Sequence, residues 1–472
     1  MKTNTLRLLA GLVVTTTAAS GKTIPNFAAA DLVLGKPDFV TATSPLTTSY
    51  SLSDPMSVAV DPVSQKVFVS DRGDNRILRY SSASALTNGA GAEAVFGQVN
   101  FSTSIGGTSD SLLSSPSGLF LDRRGALWVA DSGNNRVLVY EAASYRNSQA
   151  ADRVYGQPNF TTFTAGITAA KMNDPYSVCV DSNDNLWVGE YENNRVLKFS
   201  SISTKPSGAS ADTVLGQATF GTSVTAAGAA GLKGPVGVSV SAAGSLYVGD
   251  SGNHRVLRFD NAAALGNGGS ATAVLGQPDF TSVTSGLSNV KLKTPYGVWI
   301  TRDDALWVSD FLNNRLLRFN QASTKANGAA ANGILGQPDF NSGTDGLSSQ
   351  KFGDPFVSAF VDSAGSLWLS EERNDRVLRF PADITAPLLT VTTITPRTTK
   401  AKKLILKGTA SDAYGVASVQ FKVNAGPLKT AVGTTAWQIK APLKKGKNTL
   451  TLFATDSVGN VSVSRVIKIR RK

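Results

Sequence analysis

The chain has one cysteine and one histidine among its 472 residues. A single thiol, Cys179, excludes an intrachain disulfide, and with His254 alone it cannot build a zinc cage of thiolates and imidazoles. Cys179 lies in the alternating run Val178-Cys-Val180, so it reads as a small buried hydrophobe rather than a nucleophile. No Gly-x-Ser-x-Gly elbow occurs, and no histidine is placed to complete a catalytic triad. Walker and dinucleotide-binding loops are also missing. No apolar run reaches the ~18 residues of a membrane-spanning helix. The only membrane-related signal is N-terminal. Lys2 and Arg7, the apolar stretch Leu8 to Val14 and the small residues Ala18-Ala-Ser20 read as a signal peptide over residues 1–20. That implies export to the periplasm, the cell surface or the medium. Without it, the chain reads as a cytoplasmic interaction module.

What is present is Gly, Ser and Thr between short apolar runs, the composition of an all-β protein. Leu127-Trp-Val-Ala-Asp-Ser-Gly-Asn-Asn-Arg-Val-Leu-Val-Tyr140 reads as strand, tight hairpin and strand. The pattern occurs six times. Its arginines are Arg76, Arg136, Arg195, Arg255, Arg315 and Arg376, spaced by 60, 59, 60, 60 and 61 residues. Each follows an acid by five residues: Asp71, Asp131, Glu190, Asp250, Asp310 and Glu371. Pro55, Pro116, Pro175, Pro235, Pro295 and Pro355 open another strand in each unit. A short apolar strand ending in Gly recurs as well, first at Val33-Leu-Gly35 and last at Ile334-Leu-Gly336.

Each unit therefore carries four strand candidates; in the fifth these are 296–300, 305–309, 315–319 and 333–335. Four-stranded units in tandem predict a β-propeller, here with six blades. The first Val-Leu-Gly strand precedes every proline-led strand, and no such strand follows Phe380. Residues 31–35 are therefore expected to complete the sixth blade and cover its edge. The segment from the Phe of Gln-Pro-Asp-Phe to the next proline holds 14 residues in five units and 15 in the first. Such constant length predicts packed structure rather than variable loops.

Pro295-Tyr-Gly-Val298, Leu306-Trp-Val-Ser-Asp310 and Asn313-Asn-Arg-Leu-Leu-Arg-Phe319 resemble an NHL repeat. The resemblance covers residues 31–380 and implies a six-bladed NHL propeller. Pro381 to Pro387 reads as a linker, and residues 388–472 as a small β-sandwich with strands near 388–394, 403–407, 417–423, 437–440, 448–454 and 461–469. Gly408-Thr-Ala-Ser-Asp412 and Ala454-Thr-Asp-Ser-Val-Gly-Asn460 are similar to bacterial immunoglobulin-like domains, without the cysteine pair of antibody domains.

Charge divides at the same place. Residues 381–472 hold sixteen Lys or Arg and three Asp or Glu, a net +13; the remainder of the +12 chain carries −1. Lys402, Lys403, Lys444, Lys445, Lys447, Arg470 and Arg471 make this end a candidate surface for anionic partners such as acidic polysaccharide or envelope phosphates. The near-neutral propeller argues against nucleic acid.

Within the propeller the acid and arginine should face each other across the hairpin, in a pair that can be bidentate and that every blade needs. Asp61, Asp122, Asp181 and Asp362 end the first strands and should cap the turns that follow. Blades differ in the residue after the acid and the residue after the proline. These positions share one face and gather Tyr176, Tyr191, Tyr296, Phe311 and Phe356, with Arg72, at the channel mouth. They either bind a peptide, glycan or cell-envelope component or plug the channel. His254 occupies an Asn position of the hairpin turn and should be solvated. These readings predict an exported, monomeric binding or scaffold protein with neither cofactor nor metal. The alternative is a calcium-dependent lyase or hydrolase of the channel, since carboxylates and amides alone can hold calcium. Some NHL relatives are metal-dependent lyases that use histidines, of which this chain has only His254.

Overall fold

The structure, a computed structural model, describes residues 24–42, 46–141, 146–393 and 395–472. The signal-peptide segment lies outside the described residues. Two compact units separate within the described chain, 24–382 and 383–472.

In the first unit four-stranded antiparallel sheets follow one another, and the described residues form six of them. The sheet of Pro116–Leu121, Leu127–Asp131, Arg136–Tyr140 and Arg153–Tyr155 is typical. The proline-led strands lie innermost, each against the next, and Pro355–Val361 returns to Pro55–Val60; the sheets thus surround a common axis as in a β-propeller. Small residues allow this approach. A Cβ at Gly237 would lie 2.4 Å from the Tyr296 carbonyl oxygen of the neighbouring sheet. Leu32–Leu34 pairs with Arg376–Phe380, its Val33 opposite Leu378. The segment before it belongs to the same unit: Ile24, Ala28 and Ala30 are buried, and Phe27 donates to the Ile334 carbonyl. The unit therefore begins some seven residues before Asp31, because the apolar residues among 24–30 are packed.

Two devices recur at the sheet ends. Asp122, Asp181 and Asp362 accept backbone N–H groups of the following turn. Their second oxygens take the indole N–H of Trp128, Trp187 and Trp368, so each cap also anchors a buried tryptophan. Asp61 caps the same turn through Val63, where the strand carries Phe68 and offers no indole. The 14-residue segments are held inward: Gln157 donates to the carbonyls of Asn135 (3.0 Å) and Thr164 (3.1 Å), and equivalent glutamines do so in four other units.

In the second unit, Leu388–Val391, Lys403–Ser411 and Ala436–Pro442 form one sheet. Thr398–Thr399, Arg465–Arg471, Gly446–Asp456, Val416–Val423 and Lys429–Thr430 form the other. Alternate residues of Lys403–Ser411 and Gly446–Asp456 point inward. Leu406, Trp437, Ile439, Phe421, Leu450 and Leu452 make the core. Asp383, read from the sequence as linker, is buried and belongs to this unit.

Candidate functional site

The acid–arginine pairs occupy every hairpin and are fully buried. Arg136 Nε donates to Asp131 Oδ2 at 2.7 Å, with both side chains 0 % exposed. The pair is not bidentate. Asp131 Oδ1 accepts the Ser114 N–H at 2.7 Å, and the remaining guanidinium nitrogens donate to the carbonyls of Phe160, Ser109 and Leu112. Arg76, Arg195, Arg255, Arg315 and Arg376 pair with Asp71, Glu190, Asp250, Asp310 and Glu371 in the same way, through Nε. Backbone carbonyls out-compete the second carboxylate oxygen because the rim segments bury them with no other donor. Burial raises the Asp131 carboxyl above its ordinary range, while Arg136 and the hydrogen bonds from Asn134 and Ser114 oppose this. These groups hold the fold and are closed to ligands.

One residue before each arginine lies a second fastening. Asn75, Asn135, Asn194, His254, Asn314 and Asp375 all have φ between +47° and +55°. Each side chain accepts the N–H of the residue before the next sheet's proline, as Asn135 does from Asp174 (2.8 Å). His254 is therefore not a solvated turn residue. Its Nδ1 accepts the Thr294 N–H at 3.1 Å, which requires the neutral ring. Burial, then Lys233 and Lys293, lowers its pKa from the ordinary 6.5.

The variable positions meet at the proline ends of the inner strands. The ladder between first and second strands shifts register just after the proline in all six sheets. A bulge there turns the next side chain off the sheet. Met56, Val236 and Phe356 are buried together, with Tyr176, Tyr191, Tyr296 and Phe311 half-buried around them. Tyr296 stacks on Phe311 at 4.4 Å between centroids, and Phe356 meets Tyr296 edge-on at 4.8 Å. Phe356 is 4 % exposed and forms the centre of the cluster, so it is not a contact residue. Its neighbours cover it because three aromatic rings converge on one axis. A second aromatic group, Phe120, Trp299 and Phe360, lies toward the other ends of the inner strands.

Around Arg72, beside Tyr176, stand carboxylates that sequence reasoning missed. The Arg72 guanidinium lies 5.9 Å from the Tyr176 ring centroid and 3.7 Å from Asp54 Oδ2. Asp174 and Glu372 lie in its field. Burial pushes the Asp54 and Asp174 carboxyls up to about 6 and Glu372 up to about 7, with Arg72 opposing all three. Asp54 Oδ1 is buried without a hydrogen-bond donor. Beyond them Arg373 pairs with Asp354 at 2.7 Å and Asp345 at 2.8 Å. The available signal was the pre-proline position, acidic at Asp54, Asp174 and Asp354 but Ser115, Gly234 and Thr294 elsewhere.

In the second unit Lys403 lies opposite Pro442, and Lys447 opposite Arg470. Leu443 donates its N–H to the Lys402 carbonyl, which brings Lys444 and Lys445 to the same end. All six of these cations are exposed. Arg471 is different. It is half-buried and donates to the Leu443 carbonyl at 3.0 Å, tying its strand to the turn that follows Ala436–Pro442.

A sequence profile of the teneurin NHL domain matches residues 36–320. The chain belongs to that family. The NHL propeller is also similar to solved structures. One is a catalytically inactive virginiamycin B lyase from Staphylococcus aureus with quinupristin (15% identity, 69% of this chain and 79% of that one, TM-score 0.40). Another is a gluconolactonase from Xanthomonas campestris (16%, 75% and 96%, TM-score 0.40). A third is the extracellular domain of a putative one-component system of Bacteroides thetaiotaomicron (14%, 89% and 50%, TM-score 0.38). No curated protein matches the chain in sequence. No helix among the described residues is long and apolar enough to cross a membrane.

Proposed function

We propose that the chain is an exported, non-enzymatic binding protein: a six-bladed NHL propeller closed by its N-terminal strand, followed by an immunoglobulin-like sandwich. The propeller mouth binds a glycan or a peptide, and the basic end of the sandwich attaches to an anionic surface. The observation that carries this reading is the pairing of half-exposed Tyr176, Tyr191 and Tyr296 with the carboxylates around Arg72. Aromatic faces stack on sugar rings or peptide side chains, and partly buried carboxylates accept hydroxyl or amide donors. Asp54, Asp174, Asp354 and Glu372 outnumber Arg72 and Arg373, which favours a neutral or cationic ligand over an anionic one.

The test is binding of the full chain to arrayed glycans and peptides beside a Tyr176→Ala/Tyr296→Ala variant. Retention by the wild type and loss in the variant is expected. Equal retention by both removes the mouth from the reading. For the sandwich, binding to dextran sulfate should fall with salt and be lost on Lys444→Glu/Lys445→Glu/Lys447→Glu. Binding insensitive to salt refutes the attachment surface.

A second reading, a lyase or hydrolase at the same mouth, draws on Glu372, whose carboxyl near 7 can exchange a proton at neutral pH. Its calcium-dependent form needs carboxylates converging without an arginine. Among the described residues of the propeller no three His, Cys, Asp or Glu side chains converge in that way, and Arg72 stands amid the acids of the mouth.

A further inference from the structure

The basic sandwich contains three acids, Asp383, Asp412 and Asp456, against sixteen lysines and arginines in residues 381–472. All three carboxylates meet. One oxygen from each lies within 4.8 Å of the others. No lysine or arginine forms an ion pair with any of them among the described residues. In a unit so rich in cations, three acids that gather together and avoid every one of those cations require an explanation.

Their hydrogen bonds orient them without neutralising them. Asp456 Oδ1 accepts the N–H groups of Val458 (2.9 Å), Gly459 (2.7 Å) and Asn460 (2.9 Å), and its Oδ2 accepts Asn460 Nδ2 at 2.8 Å. Asp412 Oδ1 accepts the Tyr414 N–H at 2.9 Å. Asp383 Oδ1 accepts both the N–H (3.0 Å) and the hydroxyl (2.7 Å) of Thr385. The other oxygen of Asp383 has no donor at all, although the residue is 4 % exposed. A buried, unpartnered carboxylate oxygen beside two further carboxylates is costly unless a cation completes it.

We propose that Asp383, Asp412 and Asp456 bind one calcium ion. The donor set is oxygen only and carries three formal charges, which selects a hard divalent cation over zinc or copper. Calcium–oxygen distances of about 2.3–2.6 Å allow ligand oxygens to stand up to about 5 Å apart across the ion; magnesium, at about 2.1 Å, draws them within about 4.2 Å and demands a regular octahedron. Three carboxylates brought together from separate turns suit the more tolerant ion.

The position gives the ion a task. Asp412 follows Lys403–Ser411 in the three-stranded sheet, and Asp456 ends Gly446–Asp456 in the five-stranded sheet. Asp383 opens the unit. One ion therefore clamps the two sheets to each other and to the segment leading into them, a cross-link that a chain with one cysteine cannot make by disulfide.

The experiment uses the full chain freed of metal with EDTA and titrated calorimetrically with calcium chloride, and separately with magnesium chloride. One calcium per chain is expected, with magnesium at least tenfold weaker. Asp383→Asn should weaken calcium binding at least tenfold while retaining the far-ultraviolet circular dichroism of the wild type. Should that variant fail to fold, Asp412→Asn, at a half-buried position, takes its place. No binding by the wild type at about 10 mM calcium, well above the weakest extracellular range, overturns the proposal. So does unchanged binding in the folded variant, or magnesium binding as tight as calcium.

Discussion

Arg136→Met is the sharpest perturbation of the fastening that every sheet shares. Methionine fills much of the volume and removes the charge. Asp131 is then left buried without its counter-ion, which costs about 3–5 kcal/mol when one member of a buried pair is deleted. The carbonyls of Phe160, Ser109 and Leu112 lose their donor as well, at about 1 kcal/mol for each that water cannot reach. These terms overlap, because Asp131 can relieve its own cost by taking up a proton. A loss of about 4–6 kcal/mol is expected, against a total near 5–15 kcal/mol for an ordinary domain. Urea unfolding at pH 7, followed by tryptophan fluorescence, to which Trp128 in the same sheet contributes, reads it. The double variant Asp131→Asn/Arg136→Met removes the orphaned charge and should recover part of the loss. A single-variant loss below about 1 kcal/mol, the value of a solvated pair, would refute the reasoning, as would a double variant no better than the single.

Three further outcomes follow from the seams and the mouth. His254 has a depressed pKa, so its contribution is complete above its ordinary 6.5 and is lost as pH falls through the lower folded value; His254→Asn should flatten that acid loss in thermal melts, since asparagine fills the same role at four other seams. Glu372 has a raised pKa, so the folded form keeps a proton between about 4.5 and 7 that the unfolded chain releases, and stability falls with pH across that window. Glu372→Gln should match the wild type near pH 4 and exceed it at pH 8; equal melts at both would count against the burial of that carboxyl. Deleting residues 1–35 should lower the melting temperature of the propeller by exposing the edge at Arg376–Phe380, and an unchanged value would refute the closing role of Leu32–Leu34.

The architecture was legible because each device uses the same residue types at a fixed spacing. Asp131 and Arg136, five apart, occupy a hairpin that any one unit predicts, and the order of Gly35 and Phe380 foretold which strand Leu32–Leu34 would join. The monodentate geometry was hidden, since it depends on carbonyls some 25 residues away. The same holds for the mouth. Asp54, Asp174 and Glu372 are 120 and 198 positions apart, each ordinary in its own repeat, and only closure of the ring gives them a common desolvated surface. Tyr176 and Phe356 occupy the same repeat position, yet one is half-exposed and the other covered, because burial there depends on which side chains the other sheets contribute. Asp383, Asp412 and Asp456 belong to no motif at all; the sandwich topology brings them together.

The contact from Asp375 to the Asp54 N–H spans 321 positions in the chain but repeats the geometry of contacts that span 39 or 40. The contact between the last of the six sheets and the first is one more seam. The backbone donor is equivalent although the acceptor differs: Asp375, which also pairs with Lys36 Nζ at 3.7 Å, stands where the other seams have Asn or His. The unit 24–382, circularly permuted by joining its own two ends and opening it in a turn between two other sheets, would keep all six seams and both kinds of clasp.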